Sequence, residues 1–467
     1  MRMDISNPTK YLIYSVFFFL GILGLFQPMF YVGIIFLSFL LFLWRFDLVQ
    51  LNQILCYGIV LSMFFGAYLS VPGYESLYLF RFLLPAYLVL FLMIGEFNFS
   101  GMKQYKLPIL CLIIFLVLSL TSYFYADYPS VVFRATYFAF EILFIFLVTF
   151  KTLNQESLKW VLRIIVIAFV SNLLVGMVEV LFGIHLYLSS ANTYVSTTIK
   201  YQPTGFYFNT NDYALYISLY YPIVILTIQR IKQVWLKSIV YVLITSMSLF
   251  VVISSYSRIG MLCIGISSVT LFFTLYRKKA ALISLIFGPP SVLFFSMTSF
   301  GSNLFEIISN SFENKTTSTS VRRELYEHLW EISRDSHFLG IGAGGAPKKL
   351  GSLFLGFENT DTSATVTGHN LFLEILANLG ALGFLCMVVL LLYLFILQVK
   401  MYWYNYMLKN NYLILSTIVS FLILMTFSGS TIALSTTLEK RFLWFGLALA
   451  YSLVNMNFAD KDITYQN

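Results

Sequence analysis

Charge is scarce in this chain: Asp, Glu, Lys and Arg together make up 11% of 467 residues, while 59% are hydrophobic and the mean hydropathy is +0.82. So little polar surface excludes a soluble globular protein and fixes the class as an integral membrane protein. Cysteine is sparse as well. Cys56, Cys111, Cys263 and Cys386 each stand alone in an apolar run with no pair sharing a loop, which excludes a disulfide framework. Internal repeats and low-complexity segments are absent.

Long apolar runs are what the chain has in abundance. Runs able to cross about 30 Å of hydrocarbon fall near residues 10–26, 29–44, 54–71, 77–95, 107–125, 132–150, 160–182, 211–228, 238–254, 259–276, 280–299, 369–398, 412–430 and 441–457. The expected fold is all-α: a polytopic bundle of about fourteen transmembrane helices, within a range of about 12–14, and a large extracytoplasmic loop containing short helices. The run after Lys10 has no small-residue cleavage site behind it and reads as a retained signal anchor.

Lysines and arginines collect in every second loop: Arg2 and Lys10, Arg45, Lys103 and Lys106, Lys151 and Lys159, Arg230 to Lys237, Arg277 to Lys279, then Lys400 and Lys409. Short cationic loops stay cytoplasmic, so both termini are expected inside and the segments at about 183–210 and 301–368 outside. The net charge of +8 then reflects topology and contact with anionic lipid headgroups, with no call for a nucleic-acid partner. Four regions follow: helices 1–6 over 1–150, helices 7–11 with the smaller outer loop over 151–300, the large outer loop with helix 12 over 301–398, and the last two helices with a cytoplasmic tail over 399–467.

The large outer loop predicts an amphipathic helix capped by Ser320, with Val321, Leu325, Leu329 and Ile332 on its apolar face. Arg322 and Arg323 would then occupy its first turn, where the helix dipole opposes cations unless an anion binds beside them. They could equally pair with Glu324 and Glu327. Next comes Gly340-Ile341-Gly342-Ala343-Gly344-Gly345, which fits the dinucleotide pattern G-x-G-x-x-G. It lacks the βαβ setting, Pro347, Lys348 and Lys349 follow it, and it reads as a flexible turn. Asp460-Lys461-Asp462 has metal-binding D-x-D spacing but is expected to be a solvated tail.

Ionisable groups inside apolar runs carry more weight, because each costs at least about 2.5 kcal/mol at mid-bilayer. Arg134 and Glu141 share one helix face, as do Asn172 and Glu179, and Arg134 could be ion-paired with Glu141, Glu179 or Glu374. Arg258 follows the tight turn Ser254-Ser255-Tyr256-Ser257. His369 opens a helix whose dipole should keep its ring neutral at pH 7 and able to act as a base.

His369-Asn370-x-x-Leu373 followed by Gly380-x-x-Gly383 resembles the His-Asn-x-x-Leu block of the bacterial O-antigen ligase and O-antigen polymerase superfamily, the Wzy-type membrane glycosyltransferases. Arg322 or Arg323 with Tyr326, Trp330 and the Gly340-x-Gly342-x-Gly344 turn is similar to the first half of the same domain. Ser257-Arg258 resembles its Ser-Arg element, and Gly205 to Asp212 its Gly-x-Phe-x-Asn-Pro-Asn segment, with Thr210 in place of the proline. The ordered set covers residues 134 to 383.

The resemblance implies a bacterial cytoplasmic-membrane enzyme that transfers an undecaprenyl-diphosphate-linked oligosaccharide at the outer face, with no metal or cofactor. The candidate catalytic residues are His369 as base and Arg258 and Arg322 as diphosphate ligands. Arg134, Arg323, Asn209, Asn211, Tyr326 and Asn370 are candidate substrate-binding residues. Donor and acceptor are both lipid-linked in a polymerase, the preferred expectation. A ligase acting on a lipid A core or a protein and a flippase of lipid-linked oligosaccharide are the alternatives. A flippase and a chain-length regulator of the same pathway would be partners.

Overall fold

In the computed structural model the described residues are 47–71, 74–95, 100–192, 199–276, 316–355, 366–404, 411–429 and 440–464, with scattered positions between 277 and 315. The runs expected at 10–26 and 29–44, the signal anchor, and most of 280–299 lie outside them. The other apolar runs each become a helix: α1 Leu48–Phe65, α2 Leu79–Ile94, α3 Lys106–Thr121, α4 Pro129–Thr152, α5 Gln155–Phe182, α6 Thr210–Ile228, α7 Val234–Ser254 and α8 Arg258–Tyr276. Two more polar helices follow, α9 Thr316–Asp335 and α10 Gly345–Leu355, and then α11 Leu371–Tyr404, α12 Asn411–Gly429 and α13 Arg441–Thr464. A small antiparallel hairpin, β1 Ser70–Val71 with β2 Tyr74–Tyr78, precedes α2.

Six described helices are long and apolar enough to cross a bilayer: Leu48–Phe65, Met102–Phe124, Pro129–Thr152, Glu156–Phe182, Val234–Ser254 and Leu371–Trp403. By length and composition these are the spans of a multi-pass membrane protein. The chain divides into two compact units, Met1–Ile59 with Arg81–Phe97, and Val60–Phe80 with Asn98–Asn467. In the first, Gly58 leaves room for Leu83, whose Cδ1 would lie 3.1 Å from a Cβ at that position. All features of the candidate site belong to the second.

Local chemistry sets the helix ends. Asn154 caps α5 by accepting from the amides of Glu156 and Ser157, the Ser157 hydroxyl accepts from the Asn154 amide, and Gly183 closes the helix in the left-handed conformation. Buried aromatic side chains fill the interior around α6, where Tyr216 and Tyr220 meet Phe442 of α13 and Phe64 of α1. The Tyr220 hydroxyl donates to the Phe442 carbonyl at 2.6 Å. This satisfies a polar group that hydrocarbon would leave stranded.

Several expectations need correction. The helix expected to start after Ser320 begins at Thr316, so Ser320 is not its cap and Arg322 and Arg323 lie beyond its first turn. The Thr/Ser-rich run offers several competing start points, and here the backbone has taken an earlier one. Leu325, Leu329 and Ile332 are buried as expected, but Val321 is exposed, one turn above the contact. At the C-terminus helix α13 continues through Thr464 and includes Asp460 to Asp462, which leaves their expected solvation untouched.

The glycine run is not flexible. Gly340, Gly342 and Gly344 all have positive φ, and residues 342–348 are buried. A Cβ at Gly340 would lie 2.6 Å from the Asn378 carbonyl oxygen, and one at Gly342 would collide with the Cβ of Ala126. Only glycine allows so close an approach in that conformation. Despite Pro347, α10 does follow, with Pro347 in its first turn where a missing amide costs nothing. The expected use as a simple turn fails because the run closes a gap: α11 is broken at Gly380 (φ 70°, ψ −169°). Ile341 N–H donates to the Ala377 carbonyl, Gly342 N–H to that of Asn378, and Ala381 N–H to that of Phe338.

Candidate functional site

His369 does not open α11 but stands two residues before it, with φ 56°. Asn370 is the cap: its side-chain oxygen accepts from the amides of Phe372 (3.0 Å) and Leu373 (3.2 Å). A left-handed non-glycine residue costs about 1–3 kcal/mol, and the neighbours hold this one from both sides. The fully buried carboxylate of Glu374 accepts from Gly368 N–H at 2.5 Å, and the Tyr326 hydroxyl of α9 approaches the His369 carbonyl at 3.4 Å.

The imidazole is half-buried and its Nδ1 has no hydrogen-bond partner among the described residues. Its pKa is lowered to about 4, first by burial, then by the positive charges of Arg322 and Lys440. The ring is therefore neutral at physiological pH, for a larger reason than the helix dipole alone. Burial also raises the Tyr326 hydroxyl above its usual value, a shift that the Arg322 charge partly offsets.

Arg322 and Arg323 part company on α9. Arg323 is exposed and pairs with Glu327, Nε to Oε1 2.9 Å. Arg322 is half-buried, acts electrostatically on His369 and Tyr326, and makes no hydrogen bond or ion pair with a described residue. Lys440, one residue before α13, forms a buried pair with Asp212 in the first turn of α6, Nζ to Oδ1 3.1 Å. Lys440 is thus a member of the cluster that the sequence did not single out. A cation at the start of a helix, outside the cationic loops of the alternating pattern, is the available signal.

Asn209 is the cap of α6 and accepts from the Asn211 amide at 2.7 Å, while Asn211 itself is half-buried. The segment before them is clamped by α5. Glu179 accepts from the amides of Thr204 (2.6 Å) and Gly205 (2.7 Å), Asn172 from that of Phe206 (3.2 Å), and His185 adds a 3.2 Å contact to Glu179. The shared face of Asn172 and Glu179 has this local purpose.

Arg258 begins α8 where that helix meets α6: the Ser218 hydroxyl donates to the Gly260 carbonyl at 2.9 Å. Arg258 therefore stands at the same end of the bundle as Asp212, with no hydrogen bond or ion pair to His369 or Arg322 among the described residues. Arg134 is exposed and lies over the Phe138 ring, its guanidinium carbon 5.8 Å from the centroid. Of the possible partners Glu141, Glu179 and Glu374, none forms a described ion pair with Arg134. Glu141 binds Arg441 instead, with Nη2 to Oε2 at 2.6 Å, because the buried stretch of α4 faces α13 while its first turns emerge from the bundle.

The structure thus brings His369, Asn370, Tyr326 and Arg322 together, adds Lys440 and Asp212, places Arg258, Asn209 and Asn211 at the starts of neighbouring helices, and turns Arg323 and Arg134 outward. Residues 242–388, which contain Arg258, Arg322 and His369, match the family model described as O-antigen ligase. The chain is also 26% identical over 332 residues to the teichuronic acid biosynthesis protein TuaE of Bacillus subtilis (strain 168). That match covers 68% of this chain and 65% of the relative, so it spans less than two thirds of the relative's length.

Proposed function

We propose that this chain belongs to the O-antigen ligase and Wzy-type polymerase superfamily and is a membrane glycosyltransferase of surface-polysaccharide biosynthesis that elongates a lipid-linked glycan. The observation that carries this is the placing of Arg322, a cation with no anionic partner among the described residues, beside a neutral, half-buried imidazole one helix away.

In this reaction the acceptor hydroxyl gives its proton to His369 and its oxygen bonds to the anomeric carbon of the donor. The bond from that carbon to the polyprenyl diphosphate breaks, and the electron pair leaves with the diphosphate. Arg322 and Arg258 hold the developing charge through bidentate hydrogen bonds, and direct displacement inverts the anomeric centre. An imidazole titrating near pH 4 is neutral but weakly basic. A bound diphosphate between Arg322 and Lys440 cancels their part of the depression, so donor binding itself strengthens the base.

The topology that goes with this is a bundle of about fourteen helices with both termini in the cytoplasm. Lys103, Lys106, Lys151 and Lys400 lie at the ends of α3, α4 and α11 remote from His369, and the positive-inside rule puts that end in the cytoplasm and the site outside. Undecaprenyl-diphosphate-linked repeats are then donor and acceptor, handed over by a flippase. The matching family model favours a second reading, transfer of finished glycan by a ligase.

The test is polysaccharide from cells lacking the gene, complemented with wild type or His369→Ala and resolved by size. His369→Ala should lower transfer by about 10²–10⁴-fold, the usual worth of a general base, with membrane insertion unchanged. Single repeats in place of a ladder identify a polymerase, and intact polymer retained on its carrier a ligase. A normal polymer from the variant excludes His369 as the base.

A further inference from the structure

The break at Gly380 divides α11 into a short upper piece, 371–379, and a long lower piece, 381–404. The lower piece up to Tyr402 rises about 32 Å at 1.5 Å per residue, which matches about 30 Å of hydrocarbon without the upper piece. Its exposed residues are apolar, Leu382, Leu385, Leu392 and Phe395 among them, and its far end carries exposed Tyr402 and an 84% exposed Trp403 beside Lys400. That end has the composition of a membrane interface.

The other end of the lower piece is marked from a different part of the chain. Phe338 is bonded onto the break, its carbonyl accepting from Ala381 N–H, and the Leu339 carbonyl lies against Gly380. Leu339 is 72% exposed, and the exposed ring of Trp330 packs on Phe338 with centroids 5.6 Å apart. His337 and Phe338 both have positive φ, a costly conformation for non-glycine residues, and the turn they make presents an outward apolar knuckle. The turn between α3 and α4 reaches the same level. Ala343 N–H donates to the Ser122 hydroxyl, Gly342 abuts Ala126, and the intervening Tyr123, Phe124 and Tyr125 are exposed, Phe124 at 87%.

We infer that Trp330, Phe338 and Leu339 dock on the bilayer interface beside the lipid-facing side of α11, so that the glycine-patched break at Gly380 marks the membrane surface. The occupant is the headgroup and acyl boundary of the lipid, because the knuckle is continuous with the exposed apolar side of a spanning helix and levels with a second set of exposed aromatics. The same placement explains the hydrogen bonds across the break. Irregular backbone at this depth needs internal partners, and the segment 338–342 supplies them for the carbonyls of Ala377 and Asn378 and the amide of Ala381. His369 then stands above the boundary by the length of the upper piece, roughly 13 Å, at headgroup height.

Spin labels at Leu339→Cys, Leu385→Cys and Glu331→Cys in the full chain, reconstituted in lipid nanodiscs, test this by collision with oxygen and with a water-soluble nickel chelate. The expected result is a loss of nickel access at 339 relative to 331, with an oxygen-to-nickel ratio like that at 385. A label at 339 that tracks 331 overturns the proposal, as does one shielded from both reagents, which would mean that a second protein surface covers the knuckle. Should the cysteine variants not fold, brominated lipid applied to the unaltered chain and to Trp330→Phe gives the same answer. Quenching of the increment that Trp330 adds to the wild-type signal supports docking, and an unquenched increment overturns it.

Discussion

Arg441 and Arg322 belong to the same unit of this protein and have opposite surroundings. Arg441 lies between rings, its guanidinium carbon 4.6 Å from the centroid of Tyr78 and 4.5 Å from that of Phe80. It donates to Glu141 from Nε (3.0 Å) and Nη2 (2.6 Å) and to the Tyr78 hydroxyl (3.1 Å). Arg322 is half-buried beside a histidine with an unpartnered nitrogen and has no described carboxylate against it. An arginine so fully met by its own chain has little left to offer a ligand and joins the hairpin, α4 and α13. One left open in a partly desolvated cluster has electrostatic capacity that only an added anion uses.

Replacing each arginine should therefore fail in a different way. Arg441→Ala strands Glu141 in the interior and should cost about 3–5 kcal/mol of stability, the usual result of deleting one member of a buried pair. Thermal unfolding in detergent measures it, and an unchanged midpoint would remove Arg441 from the scaffold. Arg322→Ala should do the reverse: transfer falls by about 10²–10³-fold, the worth of a preorganised donor to a developing oxyanion. Its stability should stay within about 0.5 kcal/mol, as for other substitutions without buried partners. Loss of stability in place of activity would erase the distinction between the two residues.

Lys440 sharpens the contrast because it belongs partly to each class, paired with Asp212 yet acting on His369. Burial is the largest cause of the depressed His369 pKa, and the charges of Arg322 and Lys440 deepen it. Lys440→Gln removes one of those charges, so the His369 pKa should rise from about 4. A base works only when deprotonated, and the acid limb of kcat/KM should accordingly move to higher pH. Asp212→Asn keeps the cation and should not produce that upward shift. A Lys440→Gln limb superimposed on the wild type would show that its charge does not reach the base.

Much of this was legible in the sequence, for identifiable reasons. Most of the described spanning helices follow the apolar runs, since hydrocarbon admits few alternatives to a helix, while α1, Leu48–Phe65, starts and ends six residues before the expected run at 54–71. His369, Asn370, Arg322 and Tyr326 were found together because their motif is local within two segments. What escaped was long-range. Glu141 and Arg441 are 300 positions apart, and periodicity, which sees only neighbours on one helix, offers Arg134 as a possible partner and gives no sign of Arg441. Glycine runs read as flexible when the backbone they must fit is unseen, and here Gly342 needs its missing Cβ because Ala126 fills that space.

The smallest predicted effect separates Arg322 from its immediate neighbour. Arg323 is 83% exposed in its side chain and pairs with Glu327 one turn on. Such surface pairs contribute about 0.3–0.5 kcal/mol, and with the acidic partner toward the helix C-terminus this one has the weaker orientation. Arg323→Ala should then leave both transfer and unfolding close to wild type. Combined with Arg322→Ala, it should add nothing to the loss caused by Arg322→Ala alone. If Arg323→Ala alone abolished transfer, an exposed, paired arginine would be the diphosphate ligand, and the argument from unpartnered charge would have chosen the wrong residue. Near-normal transfer would instead trace the difference between two adjacent arginines to the helix face each occupies.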